Sequence, residues 1–345
     1  MHPELDTHNR SDLVIIGGGP TGLFASFYAG MRQMKVDIID SLPELGGQLT
    51  ALYPEKYIFD MPGFPKVFAK DLVAELVAQA NLANPNVFLE EQVIALDRLD
   101  ETWVSVTTDK GVHLTHTVLI AGGVGSFTPR KHRAKGIDQF ENRGVYRTVR
   151  HIEDFRDKRV LIVGAGDSAV DWALQLEGVA ESVTQIHRSD MFMAHEESIR
   201  RLLASTVDLR TFQNLTEVRG GGTVESVTIE HTRDKTAEDL DIDAVILAIG
   251  FQASLGPLLK WGLKIEKGSI RVDSTMATNV PGVFAAGDVV TYPGKLKLIA
   301  TAVGEAATAV NHAKTIIDPG AKVFPGHSSD LDKSTGTRIE QTATA

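Results

Sequence analysis

Two stretches of this chain have the spacing that lets bare backbone hold a pyrophosphate: Gly17-Gly18-Gly19-Pro20-Thr21-Gly22 and Gly164-Ala165-Gly166-Asp167-Ser168-Ala169. In the first, Gly17 allows a tight turn, Gly19 lets the main chain approach phosphate oxygens, and Gly22 lets a helix start close against the preceding strand. Backbone N–H groups at that helix N-terminus then face the anion. In the second, Gly164 and Gly166 repeat the first two roles, and Ala169 stands where a third glycine would be. The chemistry implied is dinucleotide binding, twice.

The sugar chemistry is set about 20 residues beyond each turn. Asp40 lies 23 residues after Gly17, at the end of an apolar stretch, where a carboxylate bonds a ribose hydroxyl. The matching position in the second copy is His187-Arg188, with no acid. An arginine there suits a 2′-phosphate, which it can grip with two charge-assisted bonds, and Arg200 and Arg201 further on would add positive charge. NADPH is therefore expected in preference to NADH.

These residues need elements to position them. The pattern predicts strand 13–16, helix 23–31 and strand Val36–Ile39 around the first turn, and strand 159–163, helix 170–176 and strand 182–186 around the second. The apolar runs TVLIAGG (117–123) and DAVILAIG (243–250) repeat one another, each closing a nucleotide unit. VFAAGD (283–288) ends in Asp288, placed to bond a ribityl hydroxyl, and a small-residue helix over 300–313 follows. The C-terminal third thus returns to the first unit. The expected fold is α/β, with two Rossmann-like domains of three-layer ββα type, the NADP-binding one inserted into the FAD-binding one. The FAD domain is placed at 1–124 and 251–345, with 330–345 a flexible tail, and the NADP domain at 125–250, with hinges near 124 and 251.

Composition narrows the chemistry. The chain has no cysteine, which removes disulfides, thiolate metal sites, cysteine-held iron–sulfur clusters and a dithiol relay. His187 and His195 are eight apart, with no carboxylate–histidine cluster at ligand spacing, so no metal is expected. A net charge of −10 argues against nucleic acid as a partner. The polar first residues and the lack of any apolar run near 18 residues point to a cytoplasmic protein without a membrane span.

The whole arrangement, with GGGPTG, GAGDSA, ILAIGF and VFAAGD in order, resembles the low-molecular-weight pyridine nucleotide–disulfide reductase superfamily. Within it, the long stretch Gly46-Gly47-Gln48-Leu49-Thr50-Ala51-Leu52-Tyr53-Pro54-Glu55-Lys56-Tyr57-Ile58-Phe59-Asp60 and the following Pro62-Gly63-Phe64-Pro65 are similar to the signature of thioredoxin-reductase-like ferredoxin–NADP reductases. Thioredoxin reductase chemistry itself is excluded by the missing cysteines. The resemblance implies that Thr21, Asp40, Gln48, Tyr53, Val93, Phe127, Asp288 and Ser329 contact FAD, with Tyr53 stacking on one flavin face. It also implies a homodimer whose C-terminal extension, FPGHSS (324–329), offers His327 to the other face. Relatives strict for NADPH often carry paired arginines where this chain has Arg188-Ser189, so nucleotide preference is expected to be relaxed.

The implied activity passes hydride between NADPH and FAD and single electrons between FAD and ferredoxin or flavodoxin, with no obligatory acid–base residue. Arg130-Lys131-His132-Arg133-Ala134-Lys135, beside the first hinge, is the candidate dock for such an acidic protein. A flavoprotein reductase of a quinone or small disulfide, or of oxygen, would use the same fold, and so would a non-catalytic nucleotide sensor.

Overall fold

A computed structural model describes residues 10–324 and 326, with backbone alone at 126–128 and 252–253. In the first unit, Arg10–Ile16 lies at the centre of a parallel sheet, between Val36–Ile39 and Val112–Ile120. Asn86–Phe88 extends the parallel order at one edge. On the other side, Val112–Ile120 pairs parallel with Val283–Ala285 through its C-terminal end, while its N-terminal end pairs antiparallel with Val104–Thr108, which leads to Val93–Arg98. The return of 283–285 to this sheet is what puts the C-terminal third in the first unit. One apolar core joins Leu13, Ile15 and Ile38 to Trp261, Ile270, Phe284 and Val310. Fully burying each such side chain contributes about 1.5–3 kcal/mol.

The second unit repeats the plan with five parallel strands, in the order Val145–Tyr146, Ala244–Leu247, Arg159–Val163, Ser182–His187, Asp208–Thr211. Its central strand shows why the run RVLIV is apolar throughout: successive residues point to opposite faces and both faces are covered. Val160 and Ile162 pack against helices Asp167–Leu176 and Glu196–Leu203 through Val170, Trp172 and Leu202. Leu161 and Val163 pack instead on the antiparallel sheet Gln213–Arg219, Ser226–His231, Ala237–Asp241 through Leu215, Val218 and Val227. Helix, parallel sheet and antiparallel sheet form the three layers.

The two crossings between units run side by side. Ser126–Pro129 pairs antiparallel with Phe251–Ser254, so the chain leaves and re-enters the first unit through one hydrogen-bonded ribbon.

Helices begin earlier than apolar periodicity suggests. The first runs Pro20–Met31 and the second-unit helix Asp167–Leu176, not 23–31 and 170–176, because each starts inside its glycine turn. Pro20 has its φ preset for the first helical position, where its missing N–H costs nothing. The C-terminal helix is likewise longer than 300–313, running Ile299–Ile317.

Candidate functional site

The first nucleotide turn is a cradle of close backbone approaches. At Gly17, φ is +109° and a Cβ would lie 2.6 Å from the Ala121 carbonyl oxygen, so only glycine fits. A Cβ on Gly22 would sit 1.9 Å from the Gly17 carbonyl oxygen, which places the helix start directly on the turn. Across the opening, Gly47, with φ +59°, faces Gly19; a Cβ on Gly47 would come 3.0 Å from the Gly19 Cα. Two bare backbones therefore confront each other where a pyrophosphate would pass. Helix Pro20–Met31 has no side-chain cap at Gly19, so no side chain occupies its first N–H groups.

Asp40 is buried at the end of Val36–Ile39 and ties this turn together. Its Oδ2 accepts from the Gly18 N–H (2.6 Å) and its Oδ1 from the Leu42 N–H (2.8 Å). Burial pushes its carboxyl above the ordinary range, and the backbone donors at Leu42 and Gly18 pull it back. Each carboxylate oxygen has a further lone pair, so the group can still accept sugar hydroxyls.

Residues from four segments meet beside the turn. A Cβ on Gly123 would lie 3.0 Å from Gln48 Nε2, and one on Gly287 would lie 2.8 Å from Thr21 Oγ1, so the Gln48 amide and Thr21 hydroxyl lie against bare backbone. Tyr53 sits where the units meet, half-buried against Leu49 and Leu72 of the first and the Phe155 and Trp172 cluster of the second. Burial, together with the charges of Asp288 and Asp60, pushes its phenol up to about 12. Asp288, half-buried, is raised by burial and held back by Lys295 and Lys297. Val93 is buried at the start of Val93–Arg98. Phe127 lies in the interdomain ribbon, its backbone paired with Ala253. Ser329 and His327 lie outside the described residues.

Glu305 is a site residue that the motifs do not single out. It is buried on helix Ile299–Ile317 and accepts from the Gly287 N–H (2.8 Å), the Tyr292 hydroxyl (2.5 Å) and Lys295 Nζ (2.6 Å). It thereby anchors the backbone immediately before Asp288. The sequence does carry a signal for it: Glu305 is the only acid in a helix otherwise built largely of small and apolar residues.

The second turn uses the same devices. A Cβ on Gly164 would strike the Ala248 carbonyl oxygen at 2.3 Å and come within 3.2 Å of the Ala169 Cβ, so alanine at 169 fills the available space. Gly166 caps helix Asp167–Leu176. The following loop is drawn over the turn: the Met193 N–H donates to the Ala165 carbonyl (2.8 Å) and the His195 N–H to Asp167 Oδ1 (3.0 Å). His187 is half-buried, and burial and the neighbouring Arg188 charge hold its imidazole below the usual range. Arg188 is exposed and forms no salt bridge among the described residues.

Arg200 is engaged by Glu197 one turn back (2.7 Å), and Arg201 instead lines a cavity between the two units. Spacing after Arg188 suggests proximity, but the three-residue offset to Glu197 favours a local helical pair.

Polar contacts also fix the two units relative to one another. Lys56 Nζ meets Asp171 Oδ2 at 2.6 Å, with both side chains largely shielded. Glu55 accepts from the Ile152 N–H (2.6 Å) and from Lys70 Nζ (2.6 Å). Glu55 and Lys56 belong to the long signature over 46–60, whose pattern alone assigns them no such role. Among the described residues, no helix is long and apolar enough to cross a membrane.

Residues 11–306 match the pyridine nucleotide-disulphide oxidoreductase family. The chain belongs to that family. Curated relatives extend the match: it is 52% identical over 321 residues to the ferredoxin–NADP reductase of Halalkalibacterium halodurans, covering 93% of this chain and 97% of that one. It is 50% identical over 329 residues to that of Symbiobacterium thermophilum, covering 94% and 98%. Among solved structures, thioredoxin reductase of Lactococcus lactis superposes with a TM-score of 0.76 at 26% identity, covering 89% of this chain and 99% of that one. The two-domain nucleotide-binding fold read from the sequence is the fold of this family.

Proposed function

We propose that this oxidoreductase is an FAD-dependent ferredoxin–NADP(+) reductase, with FAD held by 1–124 and 251–345 and NADPH by 125–250. The observation that carries the reading is the pair of fully built nucleotide cradles on a cysteine-free chain. Electrons exchanged between two such nucleotides cannot continue through a protein dithiol, so they pass to an external carrier. Relatives at half identity name ferredoxin as that carrier.

Each cradle fits its group. Gly17, Gly19, Gly22 and Gly47 present bare backbone to a pyrophosphate, Asp40 and Asp288 offer acceptors to sugar hydroxyls, and Gln48 can both donate and accept at a flavin pyrimidine edge. Bound FAD supplies the step between two-electron and one-electron chemistry. The chain binds, orients and shields: Tyr53 stays neutral, offers a ring beside the cradle, and stands at the junction that a nicotinamide must reach. Val93, Phe127 and Ser329 complete the FAD contacts in this reading. Gly164, Gly166, Ala169, His187 and Arg188 hold NADPH, with Arg188 on its 2′-phosphate.

The acidic carrier has a matching face. Residues 130–150 hold seven lysines and arginines against two carboxylates in a chain of net charge −10. Arg130, Lys131, Arg133 and Lys135 are exposed and form no salt bridge among the described residues, next to the interdomain ribbon. Such a patch steers a negatively charged partner. The reading includes a homodimer in which the extension around His327 covers the second flavin face, working in the cytoplasm.

The phosphate assignment is tested by Arg188→Ala with rapid-mixing kinetics. Losing a charge-assisted bidentate contact, about 1.5–3 kcal/mol, raises KM for NADPH roughly 10- to 150-fold and leaves NADH unchanged. Equal effects on both nucleotides refute it.

A further inference from the structure

A cavity of about 350 Å³ lies between the two units, on the flank of helix Asp167–Leu176 rather than at its nucleotide-facing start. One wall comes from the first unit and includes Tyr57, Lys66 and Phe68; the other comes from the second and includes Leu174, Gln175 and Arg201. Tyr57 and Phe68 are stacked, with centroids 4.1 Å apart and planes 18° from parallel, so this wall offers apolar ring surface. Lys66 Nζ lies 4.6 Å from the Tyr57 centroid. Neither Lys66 nor Arg201 forms a salt bridge among the described residues, whereas the lining carboxylate, Asp171, is already neutralised by Lys56.

We propose that this cavity is a second ligand site, for a planar aromatic carboxylate. The ring packs against the Tyr57–Phe68 wall, and the carboxylate answers Lys66 and Arg201, the two lining cations without a carboxylate partner. The volume falls within the range of small-molecule sites. Because each unit supplies one wall, the ligand binds only while the units hold this orientation, and it stabilises that orientation by its preference for it. The ligand is therefore an effector of inter-unit motion, and its binding stands whether or not the reductase reading does.

The probe is 6-hydroxy-2-naphthoate, titrated calorimetrically into the holoprotein without nicotinamide nucleotide, with 2-naphthol as the analogue lacking the carboxylate. One saturable site per chain is expected, at least 10-fold weaker for 2-naphthol and at least 10-fold weaker in Arg201→Ala and in Lys66→Ala. Leu174→Trp, which fills the cavity, is expected to abolish binding. The probe is also expected to slow hydrogen exchange at the Ile152 amide, whose bond to Glu55 spans the units. Equal affinity for 2-naphthol, undiminished binding in Leu174→Trp, or unchanged exchange at Ile152 would each overturn the proposal. Absent binding in a protein whose flavin is still bleached by NADPH overturns this site alone and leaves the reductase reading intact.

Discussion

Glu305→Ala removes the group that holds three partners next to Asp288. Lys295 and Glu305 are 6% and 4% exposed, so the variant leaves a buried ammonium without its counter-ion, a loss of about 3–5 kcal/mol. The Gly287 N–H also loses its acceptor, which on its own costs about 1–3 kcal/mol and overlaps with the first loss because the same site relaxes. A net loss of about 3–5 kcal/mol, at roughly 1.4 °C per kcal/mol for a chain of 345 residues, lowers the melting temperature of the holoprotein by roughly 4–7 °C. Thermal unfolding followed by circular dichroism and by flavin fluorescence reads both stability and cofactor release, with release moving at least as far as unfolding. The double variant Glu305→Ala/Lys295→Met recovers part of the loss, because it removes the uncompensated charge while the Gly287 N–H still lacks its acceptor. A loss under about 1 kcal/mol, or a double variant as damaged as the single one, would refute the view of Glu305 as the anchor of this turn.

Two further outcomes concern the tyrosines. Tyr53→Ala perturbs the flavin absorption bands and weakens FAD retention, since it removes a ring from the site; an unchanged spectrum would leave Tyr53 as packing alone. Tyr53 and Tyr292 are both pushed up to about 12, so their contribution to folded stability is full below pH 10 and is lost as pH rises toward about 12. Ultraviolet titration should show the Tyr53 and Tyr292 phenols ionising late; ionisation of both near pH 10 in the folded protein contradicts this.

Much of the architecture is legible in spacing alone. Glycines at 17, 22 and 164 announce themselves because each meets a carbonyl that leaves no room for a Cβ, and the apolar strands between them have no other use than a sheet covered on both faces. The return of 283–285 to the first sheet is readable from the small residues ending in Asp288. Contacts between distant segments are not readable in this way. The Gly19–Gly47 opposition, the Glu305 hub and the Lys56–Asp171 bridge depend on how far apart in sequence two segments can be and still meet, which local pattern does not encode. The surroundings of Arg200 and Arg201 are set by their helix in the same way: Arg200 pairs with Glu197 one turn back, and Arg201 lines the interdomain cavity.

The central claim is most directly tested by anaerobic reduction of the yellow holoprotein with NADPH, followed by ferredoxin and cytochrome c as terminal reporter. A ferredoxin–NADP(+) reductase bleaches rapidly and reduces cytochrome only when ferredoxin is present, and more weakly when Arg130 and Arg133 are replaced by glutamate. Bleaching followed by cytochrome reduction at the same rate without ferredoxin would contradict it.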